Sequence, residues 1–240
     1  MVLILNNGVP KSGSTWVHQI LRKGIDPVYP GEKWLNGWEN PSVDPKNLKD
    51  YVESGEWKGD KPVLIKSHIL YSPKFDFLFQ EGIYTLVSYR NIPDSVVSWF
   101  HHQVRQKTMT AETPEDWYAT EGRKFAMRAV AHRFSWVAKP NTIFVPYEDM
   151  RADAAKEIKT LFEALNMPMA DDSYAQLAKS TQVNLSKDEK PREGRHIRTA
   201  GRSTAREEIP AGLVNEFFAL QNSIPDLRLF GSAPPQEGAL

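Results

Sequence analysis

Four short runs of nearly unbroken apolar character punctuate the chain: Val2–Leu5, Val63–Lys66, Ile83–Tyr89 and Thr142–Val145. A strand with one wet face alternates apolar and polar side chains, whereas a strand covered on both faces does not, so these four read as strands sandwiched between helices. The longer intervals carry the helical period. Trp16, Val17, Ile20 and Leu21 recur at that spacing in Thr15–Lys23, with Gly24 expected as the C-terminal cap. Pro93–His102 follows Asn91, a capping residue type. Thr113-Pro114-Glu115-Asp116 places a cap, a first-turn proline and two acids where a helix begins. Ala154, Ile158, Leu161, Phe162 and Leu165 mark another helix. Strands alternating with helices predict a three-layer α/β/α fold around a mostly parallel sheet. No linker interrupts the pattern, so residues 1–240 read as a single domain.

Composition narrows the function classes. The 30 Lys+Arg balance 30 Asp+Glu, which argues against a protein whose main task is gripping nucleic acid or an anionic membrane. There is no cysteine, so disulfides, thiolate metal sites and thiol nucleophiles are all removed, and a reducing compartment suits the chain. The first apolar run, Val2–Leu5, has no basic region before it and is not a signal peptide, and no stretch approaches the ~18 apolar residues of a spanning helix. The expectation is a soluble, cytoplasmic protein with a small-molecule partner, no nucleic acid and no membrane span. Charge is nonetheless uneven. Residues 184–206 hold seven basic residues against three acidic ones and almost nothing apolar. They read either as a solvated loop or as a basic flap over an anionic ligand. Residues 231–240 read as a flexible tail.

The chemistry begins between the first strand and the first helix, at Gly8-Val9-Pro10-Lys11-Ser12-Gly13-Ser14-Thr15. Backbone N–H groups and the positive end of a helix cradle phosphates at such turns. The spacing Gly-x4-Gly-x-Thr is that of a nucleoside-triphosphate loop, but Ser14 stands where the lysine belongs and the lysine is at Lys11. Ile83–Tyr89 runs into Arg90 rather than a magnesium-holding carboxylate. The loop therefore suits one phosphate without a magnesium bridge.

Pro10-Lys11-Ser12-Gly13-Ser14-Thr15-Trp16 resembles the 5′-phosphosulfate loop of the sulfotransferases that use 3′-phosphoadenylyl sulfate (PAPS), which usually have threonine where Ser14 stands. Tyr89-Arg90-Asn91-Ile92-Pro93-Asp94-Ser95-Val96-Val97-Ser98 resembles the same family's 3′-phosphate motif; the arginine-to-serine spacing is intact, although the usual Arg-Asn-Pro reads Arg-Asn-Ile-Pro. Lys66-Ser67-His68 is similar to its Lys-Thr/Ser-His segment, and Tyr147-Glu148-Asp149-Met150 to a stretch whose tyrosine lies near the adenine. Arg198-Thr199-Ala200-Gly201 is the best counterpart of its C-terminal Arg-Lys-Gly run, with Arg195 and Arg202 as alternatives.

The resemblance implies a P-loop-like α/β fold and sulfuryl transfer from PAPS, leaving adenosine 3′,5′-bisphosphate (PAP), with no metal required. It implies that Lys11, Ser12, Gly13, Ser14 and Thr15 hold the 5′ end, that Arg90, Ser98 and Arg198 hold the 3′-phosphate, and that Trp16 and Tyr147 lie against the base. It makes His68 the general base, with Lys11 on the leaving group and Lys66 assisting. A P-loop kinase and a non-catalytic nucleotide-binding module are the alternatives. The acceptor cannot be read. Nor is the family's C-terminal dimer motif evident, so the expectation is a monomer or weak dimer.

Other residues are set aside. His101 and His102 point about 100° apart on a helix and do not suit one ion. His18 flanks or faces away from the Trp16/Ile20 stripe, and His132 falls within an amphipathic pattern as a structural residue. Trp34, Trp38 and Trp57 serve equally well as packing anchors or as an apolar wall for the acceptor.

Overall fold

The computed structural model describes residues 1–26, 45–109, 111–181 and 203–227. Its four strands are β1 (Leu3–Asn6), β2 (Val63–Lys66), β3 (Ile83–Tyr89) and β4 (Thr142–Pro146), all parallel, in the order β2-β1-β3-β4. Asn6 lies opposite Lys66 on one side and Leu86 on the other, and Tyr89 lies opposite Pro146. The carboxyl ends of the strands therefore emerge along one edge, and the segments that follow them are neighbours in space.

Alternate residues of these strands feed two different apolar layers, as the pleat requires. Leu3, Leu5, Val63, Ile65, Ile83 and Val87 meet Leu48 and Val52 of α2 (Pro45–Ser54), Trp57, and Phe75 and Leu78 of a 3-10 turn (Pro73–Leu78). Ile4, Leu64 and Leu86 meet the apolar stripes of α1 (Ser14–Ile25), α7 (Ala154–Ala164) and α8 (Asp171–Thr181) on the other face. A third cluster joins α3 (Ile92–Gln106), α4 (Pro114–Trp117), α5 (Arg123–Ser135) and α10 (Ala211–Asn222), with α9 (Ala205–Glu208) at its border. A wide π-type turn, Tyr118–Gly122, links α4 to α5, and α6 (Tyr147–Ala152) follows β4 directly. This is the expected α/β arrangement with helices on both faces. Among the described residues no helix is long and apolar enough to cross a membrane.

The capping expectations at Asn91 and Thr113 hold: Asn91 Oδ1 accepts from the Asp94 N–H at 2.9 Å, and Thr113 Oγ1 from the Asp116 N–H at 3.1 Å. Gly24 differs from expectation. It lies inside α1, which ends at Asp26 in the left-handed region (φ 43°). An ideal Cβ at Gly24 sits 2.5 Å from Phe162 Cζ and 3.0 Å from Leu177 Cδ2, so the glycine lets α7 and α8 approach α1. Helix α3 likewise runs past His102 to Gln106. Trp57 is buried, its Nε1 donating to the Val52 carbonyl at 3.1 Å, so it is a packing anchor.

Trp34, Trp38, residues 184–202 of the basic segment, and residues 231–240 lie outside the described residues. Residues 203–206, the described end of that segment, pack against the protein. Ser203 Oγ donates to Asp94 Oδ1 at 2.6 Å, Ala205 is buried at the start of α9, and the Arg206 guanidinium lies 4.2 Å from the Phe218 ring centroid. The apolar Ile209, Val214 and Phe217 that follow pull it into the third cluster.

Gly24→Ala tests the packing reading. Helix propensity alone favours alanine by about 1 kcal/mol. Overpacking against Phe162 is expected to reverse that and destabilise by roughly 1–3 kcal/mol in a urea titration; a gain in stability would overturn the close-crossing reading.

Candidate active site

The first loop leaves β1 beside β3. Asn7 N–H donates to the Leu86 carbonyl and Val9 N–H to the Ser88 carbonyl, both at 2.8 Å, so the loop continues the sheet before turning into α1. Gly8 is required by this approach, because a Cβ there would lie 2.0 Å from Ser88 Oγ. Ser12 Oγ shares a 2.9 Å hydrogen bond with Ser88 Oγ, and Asn6 Nδ2 donates to the Ser14 carbonyl at 2.9 Å. Lys11 (φ 65°) and Gly13 (φ 84°) both adopt the left-handed region, and Gly13 caps α1 without a side-chain hydrogen bond. The first N–H groups of a helix have no intrahelical acceptor, so this turn offers donors to an anion.

The strand-end residues of β2 converge on the same turn. Lys66 Nζ donates to Thr15 Oγ1 at 2.9 Å. His68 Nδ1 is hydrogen-bonded to the Gly8 carbonyl. A carbonyl only accepts, so Nδ1 carries the proton and Nε2 is left as the basic nitrogen. Sequence reasoning missed the residue that sets this geometry. Asn7 is fully buried; its Oδ1 accepts from Ser67 Oγ and from the Ile69 N–H, each at 2.7 Å, while its Nδ2 donates to the Ile69 carbonyl at 3.0 Å. Asn7 thus holds the Ser67 side chain before His68 and the Ile69 backbone after it.

The β3 and β4 ends complete the edge. Arg90 Nη2 pairs with Asp94 Oδ2 at 3.2 Å, and its guanidinium lies 4.7 Å from the Tyr147 ring centroid. Tyr147 meets Trp16 edge-on at 6.2 Å, and its ring fills the space where a Cβ on Gly13 would stand, 2.5 Å from Cδ2. Ser98, half-buried on α3, lies one turn past Asp94 and two past the α3 cap. The structure therefore gathers Lys11, Ser12, Gly13, Ser14, Thr15, Trp16, Lys66, His68, Arg90 and Tyr147 at neighbouring strand ends. It places Ser98 on the helix that follows Arg90; Arg195, Arg198 and Arg202 lie outside the described residues.

The electrostatics are those of an anion site. Burial, then Arg105, Lys66 and Arg90, lower the Lys11 pKa to about 8. Burial brings Lys66 to about 8 as well. His68 is pulled down to about 4, mainly by burial; the Gly8 hydrogen bond opposes this and the two lysines add to it. Arg105, on the last turn of α3, is a cation of this neighbourhood that no motif signalled. The acids nearby are engaged: Asp94 with Arg90 and Ser203, and Glu148 with the Asn91 backbone and side chain.

His101 and His102 diverge as expected: His101 Nε2 pairs with Glu208, while His102 stacks on Trp99 at 5.2 Å. Among the described residues no cluster of His, Asp or Glu could hold a metal ion. His18 is buried in α1, with its pKa lowered to about 4 by burial and then by Lys66 and Arg22. His132 is also buried, its pKa brought to about 3 by burial and then by His68 and Arg133.

A family model described as a sulfotransferase domain matches residues 2–225. Among curated proteins, sulfotransferase 6B1 of Danio rerio is 24% identical over 175 residues, which cover 70% of this chain and 58% of that protein. The chain thus spans less than two thirds of that relative's length. Among solved structures, mouse sulfotransferase SULT7A1 complexed with PAP superposes with a TM-score of 0.65 at 19% identity, covering 91% of this chain and 82% of that one. Retinol dehydratase in complex with androsterone and inactive cofactor PAP gives 0.61 at 15% identity, covering 95% and 82%. At these identities the likeness speaks for the fold.

The histidines make the fold sensitive to acid. His18, His68 and His132 stay neutral when folded down to about 4, 4 and 3, but charge near 6.5 when unfolded. The unfolded chain therefore binds more protons, and stability falls as pH drops from 6.5 towards 4, by up to about 1.4 kcal/mol per pH unit for each histidine. Urea midpoints across that range check the sign. Nitrogen-15 shifts should show His68 protonated on Nδ1 with a midpoint near 4; a midpoint above 6 would overturn the assigned environment.

Proposed function

The chain belongs to the sulfotransferase domain family, and from that premise we propose that it transfers the sulfuryl group of PAPS to a hydroxyl or amine of a small acceptor. The observation that carries the reading is the meeting of His68 with the first loop, through the Gly8 carbonyl, beside Lys11 and the Lys66–Thr15 pair. The donor set suits the nucleotide: an uncapped helix end with lysines for a phosphosulfate, and at the next strand end an arginine for a phosphate monoester.

When bound, PAPS supplies a sulfuryl group activated by its link to a phosphate. Ser12, Ser14 and Thr15 hydroxyls and the α1 amino end orient the 5′ end, and Arg90 with Ser98 and Arg198 holds the 3′-phosphate. Trp16 and Tyr147 flank the base. His68 accepts the acceptor's proton at Nε2 while Nδ1 stays on Gly8, and the acceptor oxygen or nitrogen attacks sulfur. Lys11 neutralises the charge gathering on the oxygen of the departing PAP, and Lys66, held by Thr15, adds a second positive charge. A sulfuryl group carries less charge than a phosphoryl group, so ammonium groups are an adequate electrostatic partner.

Two experiments test this. Replacing His68 by alanine is expected to lower turnover by roughly 10²–10⁴-fold with PAP affinity nearly unchanged; near-normal turnover removes His68 from its role. Arg90→Ala is expected to weaken PAP binding at least about tenfold while sparing adenosine 5′-monophosphate (AMP), measured by calorimetry.

The pH dependence follows from the same groups. His68 must be neutral to act, so kcat/KM falls as pH drops through about 4. Lys11 and Lys66 must be charged, so it also falls as pH rises through about 8 in the free enzyme. Bound nucleotide charge raises both lysines, so the alkaline limb of kcat should lie higher than that of kcat/KM. Coincident alkaline limbs would remove the lysines from the anion site.

A further inference from the structure

Arg133, on α5, is fully buried, yet neither its Nε nor its Nη1 has a hydrogen-bond partner. Its guanidinium lies 5.3 Å from the Tyr89 ring centroid, and its Nη2 donates to the Arg90 carbonyl. Burial lowers its pKa to about 10, against the opposing charge of Glu148. A buried cation with two unmatched nitrogens is costly, and an apolar side chain of similar volume would fill the space more cheaply. Packing therefore does not account for an arginine here. The hydrogen bond to Arg90 does.

That bond has a counterpart on the same peptide unit. The Asn91 N–H, at the other end of the Arg90–Asn91 peptide, donates to Glu148 Oε1 at 3.0 Å, and Asn91 Nδ2 donates to the same oxygen at 2.7 Å. A peptide unit is planar, so fixing its C=O and its N–H fixes the ψ of Arg90 and the φ of Asn91. Those angles set the direction in which the Arg90 side chain leaves the strand and the pose of Asn91 as the cap of α3. One clamp residue comes from α5 and the other from α6, and neither belongs to the β3–α3 segment that carries Arg90.

We propose that Arg133 is a positioning residue of the nucleotide site: together with Glu148 it clamps the Arg90–Asn91 peptide and so aims Arg90 at the 3′-phosphate. The proposal rests on the reading that Arg90 holds that phosphate. It predicts that Arg133 matters for PAP, which bears the 3′-phosphate, and not for AMP, which lacks it.

Calorimetric titration of Arg133→Met and Arg133→Lys with both nucleotides is the test. In Arg133→Met the Kd for PAP should rise about tenfold while that for AMP changes less than about twofold, the size expected for one hydrogen bond in an anion site. Arg133→Lys keeps a buried donor and should recover most of the loss; should the methionine variant fail to fold, Glu148→Ala, which removes the other half of the clamp, is read by the same PAP-to-AMP ratio and should raise it as Arg133→Met would. In an Arg90→Ala background, Arg133→Met should change PAP affinity less than about twofold, because nothing remains to be aimed. Equal weakening of PAP and AMP, an equal effect in both backgrounds, or an unchanged ratio in both Arg133 variants overturns the proposal. If Arg90→Ala itself leaves the ratio unchanged, the 3′-phosphate reading falls first and takes this one with it; if only the Arg133 variants are silent, this one falls alone.

Discussion

The site depends on how closely the segment leaving β1 passes β3. With a side chain at residue 8, the loop would collide with Ser88 Oγ and be pushed off the sheet edge. With glycine, the backbone stays against β3, the Gly8 carbonyl turns to His68, and Ser12 reaches Ser88. Asn7 then fixes the far side of the same junction by closing both backbone bonds of Ile69. One close approach thereby orients the first loop and His68 together. Neither is placed by its own element alone. Parallel strand order supplies the proximity, and Asn7 and Gly8 supply the register.

What the sequence revealed and what it hid divide along this line. The strands, the loop at 8–15, the strand-end histidine and the capped helix at Asn91 are local: each is set by residues within a turn or a strand of one another. The structure brings them to one edge as the alternation of strands and helices implied. The residues that hold them there are distant in sequence. Asn7 acts on a segment 62 residues away, Ser12 on Ser88 76 residues away, and Glu148 on Asn91 57 residues away. A polar side chain next to a strand carries no local sign of which strand end it will meet. Gly24 shows the related ambiguity, since a glycine near a helix end serves a cap or a close crossing equally well, and only Phe162 and Leu177 decide which. Arg206 shows the other side: by charge it counts with the basic segment, while the apolar spacing just beyond it ties that end to α10.

The electrostatic arrangement carries a cost in the absence of nucleotide. Burial lowers both Lys11 and Lys66, and the charges of Arg105, Lys66 and Arg90 add repulsion at Lys11. A fold gains little from gathering cations in a partly dry cleft. An anionic guest binds such a cleft in its folded form alone and returns that energy as affinity and as apparent stability. The depressed histidine belongs to the same balance. Burial first, and then the Lys66 and Lys11 charges, keep His68 neutral, which is the state a proton acceptor needs.

The last turn of α5 joins the two halves of the edge. Ser135 Oγ accepts from the Tyr71 N–H at 3.1 Å and Trp136 Nε1 donates to the Ile69 carbonyl at 3.1 Å, while Arg133 reaches the Arg90 carbonyl. His132, on the same turn, is buried and electrostatically close to His68. A helix end that bonds to the backbone on both sides keeps the segment after His68 and the turn at Arg90 in fixed relation. On the proposed reading, a donor held at its 3′ end by Arg90 presents its transferable group at a set distance from Nε2. That relation matters because productive transfer requires near-attack geometry, and displacement of about 1 Å costs on the order of a hundredfold in rate. The two turns proposed to bind different ends of one ligand thus have a common frame in α5.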